Sequence, residues 1–304
     1  MLKRKRFGWP LPAALALAAV GFVSPMPGHA ESGVTLTHVH GLAYSADGTR
    51  LYIPSHHGLA VYNEGHWTKA PGPQHDYMGF SATRDRFYSS GHPAPGTGLK
   101  NPFGLIRSDD GGKTWQHLGL EGESDFHVLA TGYETNVIYV YNPHPNSRMR
   151  EPGIYYTLDD GFAWRRAQAK GLGGDVIALA VHPSDPKTVA AATDQGIFLS
   201  RDAAATFEPL LRNRQGLAVY FDLDGKRLWA ATFHGQPALT QIDLEARQKT
   251  PVTLPPLTRD AVAYIAQNPK HRDEYAIATF ERNVYLTRDG GKTWTRIADR
   301  GRTL

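Results

Sequence analysis

The sequence predicts an all-β chain folded as a six-bladed β-propeller. Three observations predict it: a short motif recurs at blade-length spacing, six apolar segments align without gaps, and the composition suits short strands joined by tight turns. Ser108-Asp-Asp-Gly-Gly-Lys-Thr-Trp115 and Thr287-Arg-Asp-Gly-Gly-Lys-Thr-Trp294 are near copies of one pattern, S/T-x-D-x-G-x-T-W. Thr157-Leu-Asp-Asp-Gly-Phe-Ala-Trp164 and Ser200-Arg-Asp-Ala-Ala-Ala-Thr-Phe207 are looser copies. Their aspartates, Asp110, Asp159, Asp202 and Asp289, are 49, 43 and 87 residues apart, and the last interval is two periods, so one blade has lost its motif. Trp67, 48 residues before Trp115, marks a shortened copy at the front.

The residue types of the motif explain its job. The carboxylate accepts backbone N–H bonds inside a tight turn, and glycine supplies a positive φ. The threonine hydroxyl holds the turn while the aromatic ring packs between neighbouring sheets. Each copy is therefore expected to fasten the last two strands of a blade, a structural and not a catalytic task.

Alignment on these turns yields six units, roughly 34–73, 74–123, 124–174, 175–214, 215–259 and 260–304. Their first strands are His38-Val-His-Gly-Leu-Ala43, Asp76-Tyr-Met-Gly-Phe-Ser81, Asp125-Phe-His-Val-Leu-Ala130, Asp175-Val-Ile-Ala-Leu-Ala180, Gln215-Gly-Leu-Ala-Val-Tyr220 and Asp260-Ala-Val-Ala-Tyr-Ile265. Second strands follow at Arg50-Leu-Tyr-Ile53, Val137-Ile-Tyr-Val140 and Leu228-Trp-Ala-Ala231, and a third strand such as Gly196-Ile-Phe-Leu-Ser200 leads into each motif. Units of ~45 residues match the propeller repeat, and seven blades would need units shorter than this spacing. With Gly 31 and Pro 21, turns are plentiful.

The first 30 residues read as a signal peptide. Lys3, Arg4, Lys5 and Arg6 precede an apolar stretch from Leu11 to Val23, then Pro25, Pro27 and Gly28 lead to a small-residue site ending at Ala30. The stretch is too short for a hydrocarbon layer of ~30 Å, so no transmembrane anchor is expected after cleavage. The mature chain, 31–304, is expected to be one propeller domain, exported to the periplasm or the extracellular space. The net charge of +4 equals the four basic residues of the leader, which leaves 29 Lys and Arg against 29 Asp and Glu. A neutral protein without a basic stripe points away from nucleic acid as a partner. Cys 0 rules out disulfides, thiolate nucleophiles and Cys-bound metals.

Chemistry is expected at the channel mouth, where loops before the first strand and after the second strand open. The first aligned positions place His38, Asp76, Asp125, Asp175, Gln215 and Asp260 there. Two residues on, on the same side of each pleat, stand His40, Met78, His127, Ile177, Leu217 and Val262. Loops after the second strands add His56, His57, His92, His144, His234 and Glu281, and two enlarged loops carry Asn101, Asn146, Arg148 and Arg150. Of the 13 histidines after residue 30, nine map to this face, counting His75. His40, Met78 and His127 form the candidate metal site. Imidazoles suit zinc or copper, and a thioether tilts the choice to copper. Asp76 and Asp125 are candidate ligands or orienters of the imidazoles. His38, His57, Asp76, His92, Asp125 and Arg148 are the wider ligand-binding set. Hydrogen bonding across a wet mouth is the alternative use of the same residues.

The four motifs resemble Asp-box (BNR) repeats, and with the His-Val-His-Gly-Leu-Ala, Ser-Gly-His-Pro-Ala-Pro-Gly and Asp-Phe-His stretches the whole mature chain resembles small exported bacterial glycosyl-hydrolase-like propellers. That group is similar to sialidases, sortilin-type receptors and photosystem II assembly factors. The resemblance implies the fold, with Asp-box turns closing the blades. It implies the activity weakly, because the boxes are scaffold. Sialidases carry an Arg-Ile-Pro motif ahead of the boxes, and here His38 and His40 stand in its place. A glycosidase of another kind needs two carboxylates ~5–9.5 Å apart, for which Asp76 and Asp125 are the pair to nominate. No phosphate loop, G-x-S-x-G elbow or H-E-x-x-H helix occurs. Three functions follow as expectations: a non-catalytic binding propeller taking a small ligand, metal or protein at the mouth; a glycoside hydrolase; or an assembly factor for a membrane-protein complex.

Overall fold

A computed structural model describes residues 33–304; the expected signal peptide, 1–30, lies outside the described residues. Six antiparallel sheets follow one another in chain order. Blade one holds β1 (Ala43–Tyr44), β2 (Leu51–Ser55), β3 (Gly58–Asn63) and β4 (His66–Lys69). Blade two holds β5 (Asp76–Ala82), β6 (Phe87–His92), β7 (Leu105–Ser108) and β8 (Gln116–Gly119). Blade three holds β9 (Leu129–Thr131), β10 (Ile138–Asn142), β11 (Gly153–Thr157) and β12 (Arg165–Arg166). Blade four holds β13 (Val176–Val181), β14 (Val189–Thr193), β15 (Gly196–Ser200) and β16 (Glu208–Arg212). Blade five holds β17 (Gln215–Phe221), β18 (Arg227–Phe233), β19 (Pro237–Asp243) and β20 (Lys249–Val252). Blade six holds β21 (Val262–Gln267), β22 (Tyr275–Thr279), β23 (Val284–Thr287), β24 (Thr295–Asp299) and a short fifth strand, β25 (Arg302–Thr303). The inner strands β1, β5, β9, β13, β17 and β21 touch in that order, and β21 returns to β1, which closes a six-bladed propeller.

The motif turns join the third and fourth strands of blades two, three, four and six, as the residue types require. In each, one carboxylate fastens the turn, with both oxygens in blades two, four and six and with Oδ1 in blade three. Asp110 accepts from the Ser108 hydroxyl at 2.8 Å, the Thr114 amide at 2.9 Å and the Thr114 hydroxyl at 2.7 Å. Asp159, Asp202 and Asp289 repeat the bonding with Thr157 and Ala163, Ser200 and Thr206, and Thr287 and Thr293. The two residues after each aspartate have positive φ. In blade four these are Ala203 and Ala204, both at φ 61, where an L residue is strained. The closing rings lie between sheets: Trp115 packs on the apolar cluster shared by blades one and two and stacks on Tyr77 of its own blade at 4.7 Å, and Trp294 donates to the Thr253 carbonyl of blade five.

Burial follows from the same geometry. There are six apolar clusters, one in each interface between neighbouring blades. Blades five and six are also tied by a polar group. Asp222, with no exposed surface, accepts from Trp229 Nε1 at 2.7 Å, Tyr275 Oη at 2.8 Å and Arg227 Nε at 2.7 Å.

Two expectations need correction. Residues 34–37 do not open blade one. Thr35 bridges Arg302, Leu36 donates to the Gly301 carbonyl at 2.8 Å, and the Thr37 carbonyl accepts from Arg282, so the first described segment closes the ring on blade six. The aligned first strands of blades one and three are also shorter than expected. The strands start only at Ala43 and Leu129, so the histidine-bearing segments 38–42 and 125–128 precede them, each keeping a single backbone bond to the second strand of its blade, from the His40 amide to Pro54 and from the Tyr141 amide to Val128.

Candidate functional site at the channel mouth

The segment of blade one that precedes β1 is held by its backbone. The His40 amide donates to the Pro54 carbonyl, and the His40 carbonyl accepts from Phe80 of blade two. The approach is tight at Gly41, where an added Cβ would stand 2.8 Å from Phe80 Cβ and 2.9 Å from its carbonyl oxygen. This contact explains the glycine of His-Val-His-Gly and presents His38 and His40 together, their rings stacked at 5.7 Å. The two-residue turn between β2 and β3 adds His56, whose ring lies 4.2 Å from that of His38 and 5.2 Å from that of His40. One nitrogen from each of His38, His40 and His56 lies within 4.8 Å of the others, and among the described residues no other group of three such donors does so.

Two carboxylates frame this group. Asp76, the first residue of β5, lies 2.5 Å from His56 Nδ1 and 3.8 Å from His40 Nε2. Asp125 lies 2.6 Å from His127 Nε2 and 3.1 Å from His92 Nε2, and the far side of the His92 ring contacts Asn101. Both aspartates are largely buried, each 17% exposed, whereas His127 is 63% exposed. His40 Nε2, Asp76 Oδ1 and Asp125 Oδ1 are buried and have no hydrogen-bond partner within the protein. Unmet polar atoms gathered at one place are characteristic of a site that takes a ligand or ordered water.

The electrostatics separate the two histidine settings. Burial lowers the His40 pKa to about 4; the Asp76 charge only partly offsets this, and the neighbouring imidazoles of His56, His38 and His127 add to the lowering. His40 is thus neutral at pH 7, with a lone pair to give. A hydrogen bond to Asp125 raises the His127 pKa against the opposing effect of burial. For Asp125, burial works against ionisation, but bonds and charge from His127 and His92 outweigh it and hold the carboxyl below the usual range.

Several residues nominated from the sequence sit elsewhere. Met78 is buried and does not line the channel beside His40 and His127. Asp76 and Met78 pair in regular register with His92 and Ser90, and the bulge in β5 follows, between Met78 and Ser81. Gly79 takes the wall position, with φ 51 and the Phe126 carbonyl oxygen 1.9 Å from where a Cβ would be. His57 is exposed and stands outside the three-imidazole group. Arg148 spends its guanidinium on the Gly161 carbonyl at 2.5 Å, tying its loop to a motif turn. His75 is buried, accepting from the Ala94 amide and packing on Phe103, so it pins the 93–102 loop. His56 is the residue that sequence reasoning passed over for His57. The signal for it was its place in a two-residue turn beside the blade that carries Asp76.

No protein-family model matches the chain, and no curated protein sequence matches it. Solved structures do share its shape. The GH74 enzyme of Niastella koreensis superposes with a TM-score of 0.59 at 14% identity over 87% of this chain, which spans 46% of that enzyme's length. YCF48 bound to a D1 peptide superposes with a TM-score of 0.51 at 17% identity over 88% of this chain and 85% of its own. The extracellular domain of BT4673 from B. thetaiotaomicron has a TM-score of 0.54 at 12% identity over 89% of this chain and 35% of its own. At these identities the likeness is one of fold.

Proposed function

We propose that this chain is an exported, single-domain, non-catalytic binding propeller of the Asp-box type that takes a transition metal, zinc or copper, at His38, His40 and His56. The observation that carries the reading is the convergence of three imidazole nitrogens within 4.8 Å beside a carboxylate. On a tetrahedral ion with Zn–N of about 2.0–2.1 Å, ligand atoms sit about 3.3 Å apart, so modest side-chain rotation closes the group. Asp76 on His56 Nδ1 leaves His56 Nε2 to bind, the usual arrangement of a carboxylate behind a metal-bound imidazole. With Met78 away from the wall, no thioether favours copper, and the donor set suits zinc as well.

A glycosidase of this fold needs one carboxyl kept protonated as the acid. Asp125 is pushed the other way, and Asp76 is engaged by His56, so the observations favour metal binding over hydrolysis. No feature of the site favours the assembly-factor role.

The test is metal content and titration of protein purified without an affinity tag, with zinc and copper separately. One equivalent is expected to bind, and the His38→Ala/His40→Ala/His56→Ala variant is expected to lose it. A wild type that takes up neither ion, or a variant that binds as tightly, refutes the assignment.

A further inference from the structure

The channel beneath the histidines is lined largely by aliphatic and aromatic side chains, and His40 of the proposed metal group is on its wall. A cavity of about 230 Å³ runs down the propeller axis. His40 and His127 line its mouth, Leu42, Ile177, Leu179, Leu217 and Ile265 line its length, and Tyr44, Tyr133, Tyr220 and Tyr264 follow further along the chain path. Among the described lining residues none is Asp, Glu, Lys or Arg. Some polar side chains of the wall are satisfied by one another or by backbone, whereas the Tyr44 hydroxyl and His40 Nε2 are buried without a hydrogen-bond partner. Ser81 and Thr131 share a hydrogen bond of 2.8 Å; Gln267 donates to Tyr275 Oη and the Arg272 carbonyl and accepts from the Leu223 amide. The uncharged wall with its aliphatic side chains offers contact to an alkyl chain.

We propose that the mouth and channel together bind an amphiphilic carboxylate, its head on the metal and its alkyl chain in the channel. The inference rests on the metal reading above. The head must meet the metal, because Asp76 and Asp125 frame the mouth with negative charge, and their unpartnered Oδ1 atoms repel a bare carboxylate. A bound divalent ion reverses that sign. Three imidazoles leave a coordination position for an exogenous oxygen. The cavity has the volume of about eight waters at ~30 Å³ each. A methylene occupies a similar volume, so a chain of about eight carbons fills it.

The experiment is calorimetric titration of zinc-loaded, tag-free protein with straight-chain carboxylates from butanoate to dodecanoate, repeated after chelation of the metal. Affinity is expected to rise about fourfold per methylene up to about eight carbons and then level. It is expected to vanish in the metal-free protein. Ala178→Phe and Val128→Phe, which narrow the channel in blades four and three without touching a metal ligand, are expected to abolish the chain-length dependence and leave zinc uptake unchanged. Zinc uptake with an affinity flat across chain lengths overturns this inference alone. Equal binding by metal-free protein also overturns it, since the head then needs no metal. Failure to take up zinc or copper overturns the metal reading and this inference with it.

Discussion

Acidification tests the neutral state of His40, because its folded pKa is about 4 against an ordinary 6.5. A histidine that resists protonation in the folded state destabilises the protein as pH falls from 6.5 toward 4, since the unfolded chain binds the proton first. At about pH 4.5 the unfolded imidazole is almost fully charged and the folded one about a quarter charged, which amounts to about 2.5 kcal/mol of lost stability. The side chain is 16% exposed, so solvent screening removes little of this. His127 moves in the opposite sense: its raised pKa contributes stability that is present at low pH and fades as pH rises through the folded value. Asp125 contributes stability above the ordinary carboxylate range and loses it only as pH falls through its lowered folded value. Both are retained in a His40→Asn variant, so comparing the two proteins isolates His40. The assay is urea denaturation of chelator-treated wild type and His40→Asn at about pH 7.5 and about pH 4.5. The wild type is expected to lose about 2.5 kcal/mol more than the variant between the two conditions. Equal losses would refute the claim that burial keeps His40 neutral.

Other outcomes follow from single contacts. Asp76→Ala removes the carboxylate behind His56 and is expected to weaken metal binding by about 10–100-fold while the fold persists, as read by competition with a chromophoric chelator. Ala203→Gly relieves a positive φ that glycine adopts freely at the equivalent position of the turns in blades two and six, and is expected to stabilise by about 1 kcal/mol in denaturant unfolding. Asp222→Ala strands the buried Trp229 and Tyr275 donors between blades five and six, and is expected to destabilise by about 3 kcal/mol; an unchanged midpoint would mean that apolar packing alone holds that interface.

The blades were legible in the sequence because their information is local. A turn with a positive φ, a carboxylate that caps it and a ring that packs on the next sheet must lie within eight residues of one another, so the motif carries them together and its spacing counts the blades. Inner strands were legible for the same reason, since apolar runs bounded by turns need no partner to be recognised. The site was legible as a place and only partly as a set of residues. His38 and His40 meet beside Asp76, while Asp125 pairs with His127 and His92. Met78 is buried, and Gly79, at the start of a bulge in β5 and pressed against the Phe126 carbonyl of the neighbouring blade, is on the channel wall. Choosing His56 over His57 required the position of Asp76, 20 residues away on another blade. Closure of the ring by residues 34–37 on blade six likewise depends on the two ends of the chain meeting. The sequence by itself determined the repeat, the turns and the face that carries the histidines, all set by short-range periodicity. Which imidazoles meet, which carboxylate they pair with and what lines the channel beneath them were decided by tertiary structure, because each depends on distances between blades.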